Sequence, residues 1–245
     1  MILNFRMNYY SIRHSLDKRI LGHYPQQKET VFHCDIDEEP RFIEHIHFQK
    51  IEFEPIIANA VLHPKSVPTD LISAFGLGFS RKLLVSGKLK ELLERFRTTG
   101  LQFFCAPVLQ KNQALEDFWV LNFYEVNMEF IDYPNSEIFL MNGIFEDVEQ
   151  LDINSVEEFR QKKQEIESEG YPLNIRIKKY KMKDQIDQHF FALLDVDGGV
   201  NFLVSEVLKK EIEHAEFTGI EFMPIEFTFK EWLYDGERVR IYGKT

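Results

Sequence analysis

Three histidines and a cysteine fall within fifteen residues of one another: His33, Cys34, then His45 and His47 in the run EHIH. Residues two apart share one face of a strand, so His45 and His47 would project together. Imidazole and thiolate are zinc donors, but zinc sites show paired ligands at set spacings, and no second pair follows here. Packed or solvated strand histidines are the expectation and no metal is assigned. An enzyme with a site lined by His33, His45 and His47, or a regulatory or scaffold binding module, is the alternative reading. The run DVDGGVNFLVSE puts Asp195, Asp197 and Glu206 at positions one, three and twelve of a calcium loop. Position six, where such a loop needs glycine, is Val200, so the run reads as an acidic turn. GLGFSRK, over 76–82, carries neither phosphate-binding fingerprint. Ser86 and Ser205 lack the GxSxG elbow of an esterase nucleophile. Cys105 lies in an apolar run, where a thiol behaves as a small hydrophobe. No catalytic residue and no cofactor is assigned.

What remains chemically distinctive is charge. Between residues 125 and 169 the chain carries thirteen carboxylates against three basic side chains, a net −10 within a total of −11. Exposed ion pairs add only about 0–1 kcal/mol each to folding. A field of one sign, by contrast, raises association rates with a complementary partner by roughly 10–10³. A solvated face is the commoner explanation of any charge run. The functional expectation is a docking face for a protein with a basic surface, centred on Glu146, Asp147, Glu149, Asp152, Glu157 and Glu158.

The elements that would position this surface announce themselves through a repeat. Leu84–Phe103 reads LVSGKLKELLERFRTTGLQF, and Leu203–Phe222 reads LVSEVLKKEIEHAEFTGIEF, with nine identities and no gap. In the first copy Leu83, Leu84 and Val85 suit a buried strand and Ser86 a helix N-cap. Leu89, Leu92, Leu93 and Phe96 then fall on one helix face, Gly100 is expected at the helix stop, and LQFFCAPV resumes as a strand. The second copy repeats this with Ser205 as cap, Leu208, Ile212 and Ala215 on the helix face, and Gly219 as stop. The differences, such as Gly87 against Glu206 and Glu91 against Lys210, are expected on the exposed side. A spacing of 119 residues, from Leu84 to Leu203, is far too long for a solenoid, so the repeat is a strand–helix–strand unit used twice.

Elsewhere NYYSIRHS, HFQKIEFEPIIANAVLHP, FWVLNFYEVNMEFIDYP, SEIFLM and LNIRIKKYKMK read as strands from their alternation and aromatic content. Ser155 and Glu158 have capping-box spacing. Gly170 and Pro172 close the helix they start, whose thin apolar stripe is Val156, Phe159 and Ile166. The fold class is α+β: two related strand–helix–strand units on largely antiparallel sheet, with an exposed acidic helix between them. The expected division is 1–145 with the first copy, 146–172 as an acidic linker helix, and 173–245 with the second copy.

The chain has 245 residues, enough for one large domain or two modest ones. Its acidity argues against a nucleic-acid partner. No run of about eighteen apolar residues suggests a membrane span, and the first fifteen residues contain no signal-peptide core. Two cysteines make no disulfide framework. A cytoplasmic location is expected.

The repeat also carries a resemblance. VSEVLKKEIEHAEFTGIEFMPI is similar to the C-terminal signature of immunity-protein families in bacterial polymorphic toxin systems, with VSxxLK leading to TGIxFxP, and the pattern is present twice. FWVLNFYEVNMEFIDYPNSEI resembles the middle of that pattern at Trp119–Asn122, Asp132 and Ser136. Among numbered families it looks like immunity protein 43, or the domain of unknown function 1629. The likeness covers residues 80–230. It implies a non-enzymatic, toxin-inhibiting protein whose partner is a cognate toxin domain.

Overall fold

The computed structural model describes residues 7–144, 146–197 and 199–245. Along the chain the elements are β1 (Tyr9–His14), α1 (Lys18–Leu21), β2 (Gln27–Val31), β3 (Asn59–Leu62), β4 (Leu71–Ile72), β5 (Leu83–Ser86), α2 (Gly87–Phe96), β6 (Leu101–Cys105), β7 (Val108–Gln110), β8 (Gln113–Leu115) and β9 (Phe118–Phe123). There follow β10 (Glu137–Asn142), β11 (Glu146–Leu151), α3 (Val156–Glu169), β12 (Leu173–Lys179), β13 (Phe190–Val196), β14 (Gly199–Ser205), α4 (Glu206–His214), β15 (Ile220–Pro224), α5 (Phe229–Leu233) and α6 (Glu237–Tyr242). The class is α+β with mostly antiparallel pairing; β3 with β7 and β12 with β13 are the parallel pairs among the described residues.

Two compact units are built from interleaved segments, whereas the sequence expectation divides the chain consecutively at 145 and 172. The first takes residues 7–11, Asn127–Glu206 and Met223–Tyr242. The second takes Ile12–Val126, Val207–Phe222 and the last three residues. In the first unit the strands run in the order β11-β10-β12-β13-β14-β1. Ile138, Ile175, Ile177, Leu193 and Leu203 form its core, and α3 adds Phe159 and Ile166. Burying each such side chain contributes about 1.5–3 kcal/mol, which is how a helix with only two fully buried residues is held.

The second unit has two four-stranded sheets, β2-β3-β7-β8 and β4-β5-β9-β6. Phe42, Ile43, Leu62, Ile72, Leu84, Val108 and Val120 form one of its cores. The expected strand in HFQKIEFEPIIANAVLHP shortens to Asn59–Leu62. Residues before it run irregularly because the Gln102 side chain takes the place of a neighbouring strand: its amide donates to Ile51 O and its carbonyl accepts from Ile51 N, both at 2.8 Å. The backbone is satisfied without a ladder.

Both copies of the repeat fold as strand, helix, strand. In the first, β5 and β6 each pair antiparallel with β9. In the second, β14 pairs antiparallel with Tyr9–Ser11 of β1, and β15 is also a neighbour of β1. The identities have physical reasons. Leu84, Val85 and Leu89, and their counterparts Leu203, Val204 and Leu208, are buried. Lys90 pairs with Glu94 at 2.8 Å and lies 5.6 Å from the Phe103 ring centroid. Lys209 repeats this with Glu213 at 2.8 Å and Phe222 at 5.5 Å. An i,i+4 ion pair placed over an aromatic face is worth a few tenths of a kcal/mol in the pair and about 0.5–1 kcal/mol in the cation–π contact.

Three expectations are corrected. Gly87 is buried, because a Cβ there would lie 1.9 Å from Asp117 Oδ1. Gly100 and Gly219 are not helix stops: α2 ends at Phe96 and α4 at His214. Each glycine instead makes the turn into the following strand with φ +81°, which L-residues avoid. Ala215 is exposed, one residue past its helix.

Candidate docking surface

The acidic segment folds as an edge strand followed by a helix, both in the first unit. Residues 146–151 do not continue into α3 as a linker helix; they form β11, which pairs antiparallel with β10, and Gly143, just past the end of β10, has φ +64°. Glutamate and aspartate are poor strand formers, so EDVEQL is held extended by its pairing with the apolar β10. The ladder runs Ile138↔Leu151, Phe139↔Gln150 and Leu140↔Glu149, then skips Val148 in a bulge before Met141↔Asp147 and Asn142↔Glu146.

The bulge separates the carboxylates. Glu149 stands opposite Leu140, on the sheet face where Leu140 and Leu151 pack against the core that contains Phe159 of α3. Asp147 pairs with Lys178, whose ammonium lies 5.4 Å from the Phe139 ring centroid. Beyond β11, Ser155 caps α3 by accepting from Glu158 N at 3.1 Å. The reciprocal arm is displaced by one residue, with Glu158 Oε2 accepting from Asn154 N at 2.7 Å.

The six expected docking carboxylates therefore divide. Asp147 is neutralised by Lys178, Glu146 accepts from Asn142 Nδ2 at 2.6 Å, and Glu158 is spent on the cap. Glu149, Asp152 and Glu157 have no hydrogen-bond or ion-pair partner among the described residues, and all three are exposed. Where β11 meets α3, a notch of about 260 Å³ is lined by Asp152, Glu158, Gln161, Lys162 and Glu165. Glu165 accepts from Gln161 at 3.1 Å and Lys162 at 3.2 Å. Those hydrogen bonds hold its carboxyl below the usual range, so it stays charged. Among the described residues Lys162 is the one cation lining the notch, against three carboxylates. Sequence reasoning missed Glu165 and the notch because the notch exists only where the strand end folds against the helix.

The histidines do not converge. His45 sits in a 3-10 turn, Ile43–His45, and its Nδ1 bonds Glu39 O at 3.1 Å. His33 Nε2 bonds Asn59 Oδ1. His47 follows in irregular chain, with Nδ1 buried and unpartnered; burial, then Lys82, pushes its pKa down. The shared strand face expected for His45 and His47 is absent because no strand forms there. Among the described residues no group of three or more His, Cys, Asp or Glu side chains is placed to hold a metal. Ser205 is fully buried and bonded to His189 Nδ1 at 2.8 Å, out of reach of a substrate. Ser86 caps α2, accepting from Leu89 N at 3.3 Å. No described helix is long and apolar enough to cross a membrane.

Comparison with known proteins adds one match: the model of the immunity protein family Imm11 aligns with residues 8–227. The match takes in residues 8–79, which the resemblance left out, and it is to Imm11 rather than to immunity protein 43. No curated protein matches the chain.

Proposed function

Because the chain belongs to the Imm11 immunity protein family, we propose that it is a non-catalytic protein of the bacterial cytoplasm that binds a cognate toxin domain of a polymorphic toxin system and neutralises it. The family match over residues 8–227 carries this reading. The toxin docks through a basic face against the unpaired carboxylates Glu149, Asp152 and Glu157, which contribute nothing evident to folding. Nucleic acid and membrane are not partners of so acidic a surface.

The test is capture of the tagged full chain from its host at low and moderate salt, followed by assay of whatever co-purifies. The expected result is one stoichiometric partner whose toxicity the purified chain abolishes at a one-to-one ratio. A partner that stays fully toxic when saturated with the chain would refute the neutralising role. Replacing Glu149, Asp152 and Glu157 together with lysine is expected to slow association at least tenfold at low salt, with the unfolding midpoint unchanged. An unchanged on-rate would remove the acidic surface from the interface while leaving the family role intact.

A further inference from the structure

We infer that β11 is a strand-addition site, and that its occupant is an extended, basic segment of the partner protein. The inference rests on the toxin-binding proposal for the identity of the partner, but not for the chemistry of the edge. Among the described residues β11 is the terminal strand of its sheet and pairs only with β10. Among the described residues no backbone hydrogen bond joins 146–151 to anything else. Its outer N–H and C=O groups therefore form a ready template for another strand.

Proteins usually blunt such an edge with charged side chains, lysine above all, with proline or with a bulge, and the charges on β11 are all acidic. β11 has no lysine and no proline. Its bulge lies at Val148, half-exposed at 52%, which leaves Glu149–Leu151 as the regular stretch. This stretch leads directly to Asp152 and the notch, so a strand paired along it would deliver its next side chain between Asp152, Glu158 and Glu165.

Charge selects the occupant. A second copy of this chain, pairing edge to edge, would set Glu149 and its neighbours against the same carboxylates, and like charges facing each other across strands are destabilising. A segment with lysine or arginine at alternate positions meets Glu149 on one face and can place a cation in the notch. An acidic edge thus rejects self-association and admits a basic strand with one device.

The experiment uses the full chain and a synthetic decapeptide alternating lysine and threonine, with two analogues N-methylated at alternate amides, one in each register. All three peptides carry the same charge. The parent peptide is expected to bind at least tenfold more tightly than the analogue methylated on the pairing register, and to slow hydrogen exchange at 149–151. Equal binding by all three, or binding without protection there, would reduce the edge to a point of charge attraction and overturn the inference, as would no binding at 50 mM salt. If a toxin is captured and neutralised but the peptides show no backbone dependence, the toxin-binding proposal stands and strand addition falls. If the parent peptide binds with protection but no toxin is found, strand addition stands alone.

Discussion

The two copies of the repeat share nine residues of twenty, yet they are sealed differently. In the first copy Ser86 Oγ donates to Asp70 Oδ1 at 2.7 Å while capping α2. In the second, Ser205 is buried and engaged by His189. The residue two before the shared leucine is Lys82 in the first copy and Asn201 in the second. Both are buried. Lys82 Nζ donates to Ile46 O at 2.8 Å and Asn122 Oδ1 at 3.3 Å, whereas the neutral Asn201 donates to Tyr180 Oη and Asp197 O, each at 3.2 Å. Gly100 faces the ends of the Arg97 and Glu125 side chains, while Gly219 faces the backbone oxygen of Leu71. Matched residues keep a local backbone role, and the tertiary neighbours decide what each costs to change.

The sharpest test of this difference is at the glycines. A Cβ on Gly219 would lie 2.4 Å from both Leu71 O and Thr69 Oγ1. Gly219→Ala is expected to cost about 3 kcal/mol, combining a left-handed conformation with a backbone clash. Gly100→Ala meets side-chain ends rather than backbone, but one is the buried Arg97 guanidinium bonded to Thr99 O and Glu125, so it should cost about 2 kcal/mol, less than at Gly219. Equal shifts in urea midpoint would erase the distinction.

Next comes the buried lysine. Burial pushes the Lys82 pKa down to about 8. The unfolded chain therefore holds this proton at pH values where the folded chain has lost it. Stability contributed here rises from pH 8 towards the unfolded value, by about 2 kcal/mol between pH 8 and 10. Lys82→Met should flatten that slope in unfolding titrations, and Asn201→Leu should leave it in place. A slope that survives in the methionine variant would show that Lys82 is not its source.

Smaller effects are expected at the serines. Ser86→Ala removes a cap and costs about 1 kcal/mol; Ser205→Ala removes a buried hydrogen bond and costs about 1–2 kcal/mol. A Ser205→Ala variant as stable as the parent would show that the His189 contact adds nothing to the fold. The smallest change in stability belongs to the acidic surface. Replacing Glu149, Asp152 and Glu157 together with glutamine should move it by no more than about 0.5 kcal/mol while slowing capture of a basic partner several-fold. A large loss of stability would mean that these carboxylates serve the fold as the repeat does.

Much of the repeat was legible because its signals are local. The spacing of Leu89, Leu92 and Leu93 writes the helix face, and Ser86 writes its start. α3 was legible for the same reason: Phe159 and Ile166 make its buried stripe and Ser155 its cap. The edge strand was not legible, since EDVEQL lacks strand propensity and becomes a strand only because β10 lies beside it. Nor could the sequence tell which carboxylates are free. Asp147 is neutralised by Lys178, thirty-one positions away, while Glu149, two residues along, is not.

The sequence by itself determined the α+β class, the doubled strand–helix–strand unit and the concentration of negative charge, because periodicity, caps and composition are properties of neighbours along the chain. Tertiary structure alone decided that β11 is an open edge, that a notch forms beside Asp152, and that His45 and His47 lie on no shared strand face. Those outcomes depend on strand register and on partners distant in sequence, and a bulge of one residue at Val148 is enough to send Asp147 and Glu149 to opposite faces of the sheet.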